Sequence, residues 1–248
     1  MLAPLKLNKP IYMIYYGGFI FLLYFLLRYF VYNNTDDHRY LDWAIRDTVM
    51  NIPRLVCLLL IFIHIPIKEI GFGRKILKND IYVIGLLSIS LIAIDYFIGG
   101  MAFNFYNSYL VVYVLISIGG IFSSLFEEVL FRGIFFTKIR EYMGVNLSIL
   151  ISTALYTLLY IGAQPTYLLP INFLYGFILG SIRARGRSIW IVILIHFVHS
   201  LPETFFGEIK QFSNEYWLYI FSYIILAVVS YYMFVYRTKY TLKESKEL

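Results

Sequence analysis

Residues 11–32 read IYMIYYGGFIFLLYFLLRYFVY, a run whose only charge is Arg28. A helix needs about 20 mostly apolar residues to cross the hydrocarbon core of a bilayer, and this run meets that length. It is too long for the apolar region of a signal peptide, and no small-x-small cleavage site follows it. It is therefore expected to stay in the membrane as the first span. By the same ruler seven further runs qualify, at roughly 49–67, 81–98, 109–136, 147–163, 167–182, 188–201 and 216–236. The run at 188–201 is the shortest, and the turn after it can extend it. The loops between runs are short, with no Pro/Ser-rich linker and no internal repeat. The expected fold is an all-α, polytopic transmembrane bundle of about eight helices. It forms a single membrane domain over 1–248, ending in a basic tail at 237–248.

Composition supports lipid as the solvent. Hydrophobic residues make up 60% of the chain and charged residues 15%, against about a quarter charged in a soluble domain. Mean hydropathy is +0.72, so too little polar surface exists to cover a water-soluble globule. The aromatic content of 20%, mostly Tyr and Phe, suits interfacial belts. The single cysteine, Cys57, rules out an internal disulfide and reads as packing.

A net charge of +6 raises the question of nucleic acid, which the distribution of charge answers. Lys6 and Lys9 precede the first span; Lys68, Arg74, Lys75 and Lys78 follow the second. Lys138 and Arg140 follow the fourth, Arg183, Arg185 and Arg187 the sixth, and Arg237, Lys239, Lys243 and Lys246 the eighth. The opposite loops hold Asp36, Asp37, Asp42, Glu203, Glu208 and Glu215. Basic loops on alternate sides are a topology signal, which places both termini in the cytoplasm. The expected partner is the lipid bilayer, with no nucleic acid. A Lys/Ile/Tyr/Asn-rich chain without a transit peptide fits a multi-pass protein of a bacterial plasma membrane.

Ionisable groups at membrane depth are costly and mark function by default. Arg28 and Arg54 lie near span ends, where long side chains snorkel. His64 lies within about a turn of its helix end and reads as structural. Asp95, in Leu-Ile-Ala-Ile-Asp-Tyr-Phe, calls for a neighbouring Arg or hydroxyl. The fourth span differs, because Phe126-Glu127-Glu128-Val129-Leu130-Phe131-Arg132-Gly133 puts two adjacent carboxylates in an apolar helix. Glu128 and Arg132 are four apart and share a face. Glu127 points about 100° away, where it is free to face a cavity and to act as a general acid or base on water. A bracing ion pair explains Glu128 and Arg132 but leaves Glu127 unexplained.

The seventh span adds Ile195-His196-Phe197-Val198-His199-Ser200, with two imidazoles on neighbouring positions of one helix face. Counted from the cytoplasmic ends, Glu127 and His196 are about nine and eight residues deep. At about 1.5 Å per residue those depths agree within a few Å. Acid and imidazole can converge there.

The Glu127-Glu128-xxx-Arg132 sequence resembles the EExxxR motif of the CAAX protease and bacteriocin-processing family of intramembrane proteases. The resemblance covers roughly Val112 to Ser200. It implies about eight helices around a polar cavity, a glutamate that activates water, histidines that bind metal or orient that water, and an asparagine that stabilises the oxyanion. Two family positions differ. In Tyr156-Thr-Leu-Leu-Tyr160, Tyr160 stands where the family has histidine, and Ser200 replaces the asparagine four residues after His196. Tyr160 and Ser200 remain candidate oxyanion or substrate donors, and His199 is a candidate for the missing imidazole. Glu127, His196 and His199 would supply the three ligands of an open zinc site only in the right geometry, so the cofactor stays unassigned, with a divalent metal one option.

The resemblance thus implies an intramembrane endopeptidase acting on a membrane-associated peptide or protein, with Glu127, Glu128, Arg132 and His196 as its catalytic set. The alternative is a non-catalytic relative serving as a membrane scaffold, immunity or regulatory protein. A transporter using Asp95 and Glu127 as proton relays ranks third, because neither an inverted repeat nor paired broken helices are seen. No HExxH or Gly-x-Ser-x-Gly occurs, and Asp95 is the only aspartate deep in a span.

Overall fold

The computed structural model describes residues 9–33, 40–74, 76, 78–98, 110–186, 188–206 and 216–236. Lys6, Asp36, Asp37, Lys75, Arg187, Glu208, Glu215 and the tail at 237–248 lie outside the described residues. Among those described, the elements are helical: α1 (Lys9–Asn33), α2 (Tyr40–His64), a single turn α3 (Ile67–Ile70), α4 (Lys78–Phe97) and α5 (Leu110–Glu128). α5 runs on as a π-helical segment, π1 (Val129–Phe135), into α6 (Phe136–Leu158); α7 (Leu169–Ala184), α8 (Ile189–Phe206), α9 (Tyr216–Tyr231) and π2 (Tyr232–Tyr236) complete the order. Apart from α3, the α-helices number eight, all of 16 residues or more.

Among the described residues four stretches are long and apolar enough to cross a membrane, at Ile11–Val31, Lys78–Phe97, Thr166–Ala184 and Tyr216–Tyr236. Thr48–His64 and Ile189–Leu201 are shorter apolar stretches. Burial is inverted relative to a soluble protein. Trp217 and Tyr82 are about three-quarters exposed, at 76% and 77%, while Glu127, Glu128 and Arg132 are at 0%. Lipid solvates the apolar outside, and backbone and polar groups must be satisfied within. The chain is a multi-pass membrane protein.

The boundaries move from the sequence reading where local chemistry decides them. α2 ends at His64, before the extended Pro66 that leads into α3. The fourth span does not end at residue 136, because helical structure continues until Gly144, whose φ of 77° only glycine adopts readily. There the chain turns into the fifth span, which closes at Leu158 instead of Ala163. α8 extends through Phe206, longer than the 188–201 run. Inside the bundle α5 packs against α2 and α8, α4 against α8, and α7 against α6 and α9. Two elements meet at Gly133 in π1, where a Cβ would lie 2.5 Å from Ile70 of α3.

Candidate functional site

Glu127 and Glu128 close α5 where the helix widens into π1. Such π segments are frequent at functional sites because they re-aim side chains. The expected pair forms: Arg132 Nη1 donates to Glu128 Oε1 at 3.0 Å, and both side chains are fully buried. Arg132 Nη2 donates to the Gly176 carbonyl at 2.9 Å, and its guanidinium lies 4.5 Å over the Tyr156 ring. Gly176 makes this approach feasible, since a Cβ there would stand 3.0 Å from Nη2 and 2.9 Å from Tyr156.

His196 of α8 meets both glutamates. Its Nδ1 lies 2.9 Å from Glu128 Oε1, and its Nε2 lies 3.9 Å from Glu127 Oε2. An ionised carboxylate only accepts, so Nδ1 carries a proton. The depth argument from sequence thus holds: acid and imidazole from separate helices converge.

Both oxygens of Glu127 are engaged. Ser123 donates to Oε1 at 2.9 Å, Tyr160 donates to Oε2 at 2.8 Å, and Arg28 Nη1 lies 3.6 Å from Oε1. Tyr160 spends its proton on Glu127, so Tyr156, 3.1 Å away, is the donor to the Tyr160 oxygen. Arg28 also lies 4.7 Å over the Tyr160 ring.

Snorkelling does not describe the two arginines. Arg28 is 6% and Arg54 2% exposed, and Arg54 donates to Tyr24 and Asn51 at 2.8 and 2.9 Å. Each reaches a polar partner inside the bundle. His64 fits its structural reading, 2.9 Å from the Leu60 carbonyl and against the Tyr16 ring.

Two further candidates are placed differently from expectation. His199 does not take up the missing imidazole's place at Glu127; its Nε2 lies 2.6 Å from Asp95 Oδ2 and 3.2 Å from the Tyr223 hydroxyl. The i, i+3 spacing turns it to a neighbouring helix, α4. Tyr219 and Tyr223 donate to Asp95 Oδ1 at 2.7 and 2.8 Å, which supplies the hydroxyl partners that Asp95 calls for. Ser200 donates to the Phe197 carbonyl at 2.8 Å within its own helix. Among the described residues no three His, Cys, Asp or Glu side chains gather to hold a metal ion. With His199 on Asp95 and a proton-donating phenol at position 160, the donor set does not make a three-ligand zinc site.

Tyr175 was not legible as a site residue. Its ring stacks on His199 at 4.5 Å and 25°, and stands edge-on to His196 at 5.4 Å. It joins the Glu127 cluster to the Asp95 cluster. A Tyr deep in a span was the available signal, since a buried phenol wants a partner.

The geometry is an acidic pair and an imidazole enclosed in a bundle of apolar helices. Residues 107–201 match the family model described as type II CAAX prenyl endopeptidase Rce1-like. This part of the chain is thus similar to the CAAX-type prenyl endopeptidases. No curated protein matches the chain.

Proposed function

We propose that the protein is an intramembrane endopeptidase that hydrolyses a membrane-associated peptide or protein with water activated by Glu127, both termini lying in the cytoplasm. The supporting observation is the 3.9 Å separation of His196 Nε2 and Glu127 Oε2, with His196 Nδ1 anchored on Glu128. That distance is too long for a direct hydrogen bond and suits one bridging water. Two bonds of about 2.8 Å would meet at that water at an angle of about 90°.

In this reading the water gives one hydrogen bond to each group. As its oxygen bonds to the scissile carbonyl carbon, its proton passes to Glu127 and the carbonyl electron pair moves onto oxygen. The tetrahedral intermediate then collapses, the C–N bond breaks, and Glu127 returns the proton to the leaving nitrogen. Glu128 holds the His196 ring, and Arg132 holds Glu128. No step is routed through a metal.

A second reading, a non-catalytic membrane scaffold or immunity protein, draws on the load that Glu127 carries. Ser123, Tyr160 and Arg28 already engage both of its oxygens, as they would those of a structural brace. The two readings separate in one experiment. Wild type, Glu127→Gln and His196→Ala are expressed in cells, and new protein termini in the membrane fraction are quantified; the purified proteins are then assayed in nanodiscs on a peptide so found, with and without chelator. Glu127→Gln should keep its Tm within a few degrees and lose cleavage at least 10²-fold. Termini and phenotype unchanged in Glu127→Gln would leave the scaffold reading standing.

A further inference from the structure

We propose that Tyr175 is the oxyanion donor of this site, and that Asp95 and His199 are positioning residues that hold its ring in place. The inference rests on the endopeptidase reading and assigns the group that reading lacks. A tetrahedral intermediate needs a donor aimed at its oxygen. Ser200, which stands in the asparagine's place, gives its hydrogen to the Phe197 carbonyl, and Tyr160 gives its own to Glu127.

Tyr175 is 4% exposed, and among the described residues its hydroxyl makes no hydrogen bond. A buried hydroxyl without a partner is costly, so an open donor on a ring that touches His196, itself bonded to Glu128, is a feature to be explained. It lies within electrostatic range of Glu128, Arg132, Tyr160 and Glu127. A preorganised donor, open among the described residues and paired when charge develops on a carbonyl oxygen, has these properties.

The second cluster explains how the phenol is held. His199 lies flat against the Tyr175 ring. The Asp95 carboxylate fixes His199 at 2.6 Å and is itself fixed by Tyr219 and Tyr223. Asp95 comes from α4, which contributes no side chain to the Glu127 cluster described above. His196 also stands edge-on to the ring. The Asp95 assembly thus braces the phenol through His199.

The test uses the full-length protein in nanodiscs and a peptide carrying a Glu127-dependent terminus found in cells. Tyr175→Phe should lower kcat 10²- to 10³-fold and leave KM within about twofold, since the donor binds charge that exists only after attack. Its Tm should equal or exceed wild type, because an unpaired buried hydroxyl is removed and the ring stack stays. Asp95→Asn should lower kcat about tenfold, and the Asp95→Asn/Tyr175→Phe double variant should be no slower than Tyr175→Phe alone. Wild-type kcat in Tyr175→Phe, with Glu127→Gln inactive, overturns this assignment and leaves the endopeptidase reading intact. A Tm several degrees below wild type also overturns it, by showing that the hydroxyl serves the fold. If cells yield no Glu127-dependent terminus, both the reading and the assignment fall.

Discussion

Arg132→Met tests whether the Glu-Glu-Arg unit is held as described. Arg132 is wholly buried, and the substitution keeps an unbranched apolar chain while deleting three interactions. These are the 3.0 Å bond to Glu128, the 2.9 Å bond to the Gly176 carbonyl and the guanidinium over Tyr156. Removing one partner of a buried ion pair costs about 3–5 kcal/mol, since the other charge is stranded. The Gly176 carbonyl sits inside α7 and keeps its helical N–H donor, so losing Arg132 there adds little. His196 remains 2.9 Å from Glu128 and returns part of this, so the net loss should be about 4 kcal/mol. For a chain of 248 residues, at about 2–4 °C per kcal/mol, Tm falls by roughly 8–16 °C. The assay is equilibrium unfolding of wild type, Arg132→Met, Glu128→Gln and the double variant in one detergent. Removing both charges at once should recover about 2 kcal/mol relative to the sum of the singles. A loss under about 1 kcal/mol in Arg132→Met, or simple additivity in the double variant, would refute the stranded-charge reasoning.

Two other substitutions probe the same region. Gly176→Ala puts a methyl 2.9 Å from Tyr156 and 3.0 Å from Arg132 Nη2, so it should destabilise by about 1–3 kcal/mol and slow cleavage as Arg132 shifts; a wild-type Tm would show that the close approach is slack. Tyr160→His restores the family's imidazole beside Glu127 and should raise kcat/KM about tenfold, within the range of a general acid or base. A tenfold fall would show that the phenol's hydrogen bond to Glu127 is what the site uses.

The membrane class was legible because lipid leaves no alternative to runs of about 20 apolar residues. The Glu128–Arg132 pair was legible because it is local, four residues apart on one face. The meeting of Glu127 with His196 followed from depth, a one-dimensional coordinate that a sequence does carry. Rotation about the helix axis is another matter. His199 is three residues from His196, close enough to share a face by spacing, yet it serves Asp95, 104 residues away. Only the packing of α4 against α8 decides which imidazole meets which acid. Arg28 and Arg54 were misread for the same reason. Their depth allows snorkelling, but they are buried against Glu127 and Tyr24. The π1 segment has no sequence signature at all. Tyr175 was invisible because in Asn-Phe-Leu-Tyr-Gly-Phe it reads as one more aromatic of an apolar span.

Which hydrogen bonds are closed and which are open separates a brace from a site. A bracing network in lipid should satisfy every polar atom it buries, because each open one is costly there. The Asp95 cluster approaches that condition, with both carboxylate oxygens engaged by three side chains. The Glu127 cluster does not. Among the described residues Glu128 Oε2, Arg132 Nε and the Tyr175 hydroxyl make no hydrogen bond, and all three belong to residues in contact with His196 or with its partner Glu128. Other buried polar atoms without a hydrogen bond among the described residues lie at Ser88, Thr153 and Ser230, so open atoms are not confined to this site. Those at Glu128, Arg132 and Tyr175 are the ones that a site binding water and then a carbonyl oxygen would use, and they favour the proposed endopeptidase over a scaffold even though Glu127 is already engaged.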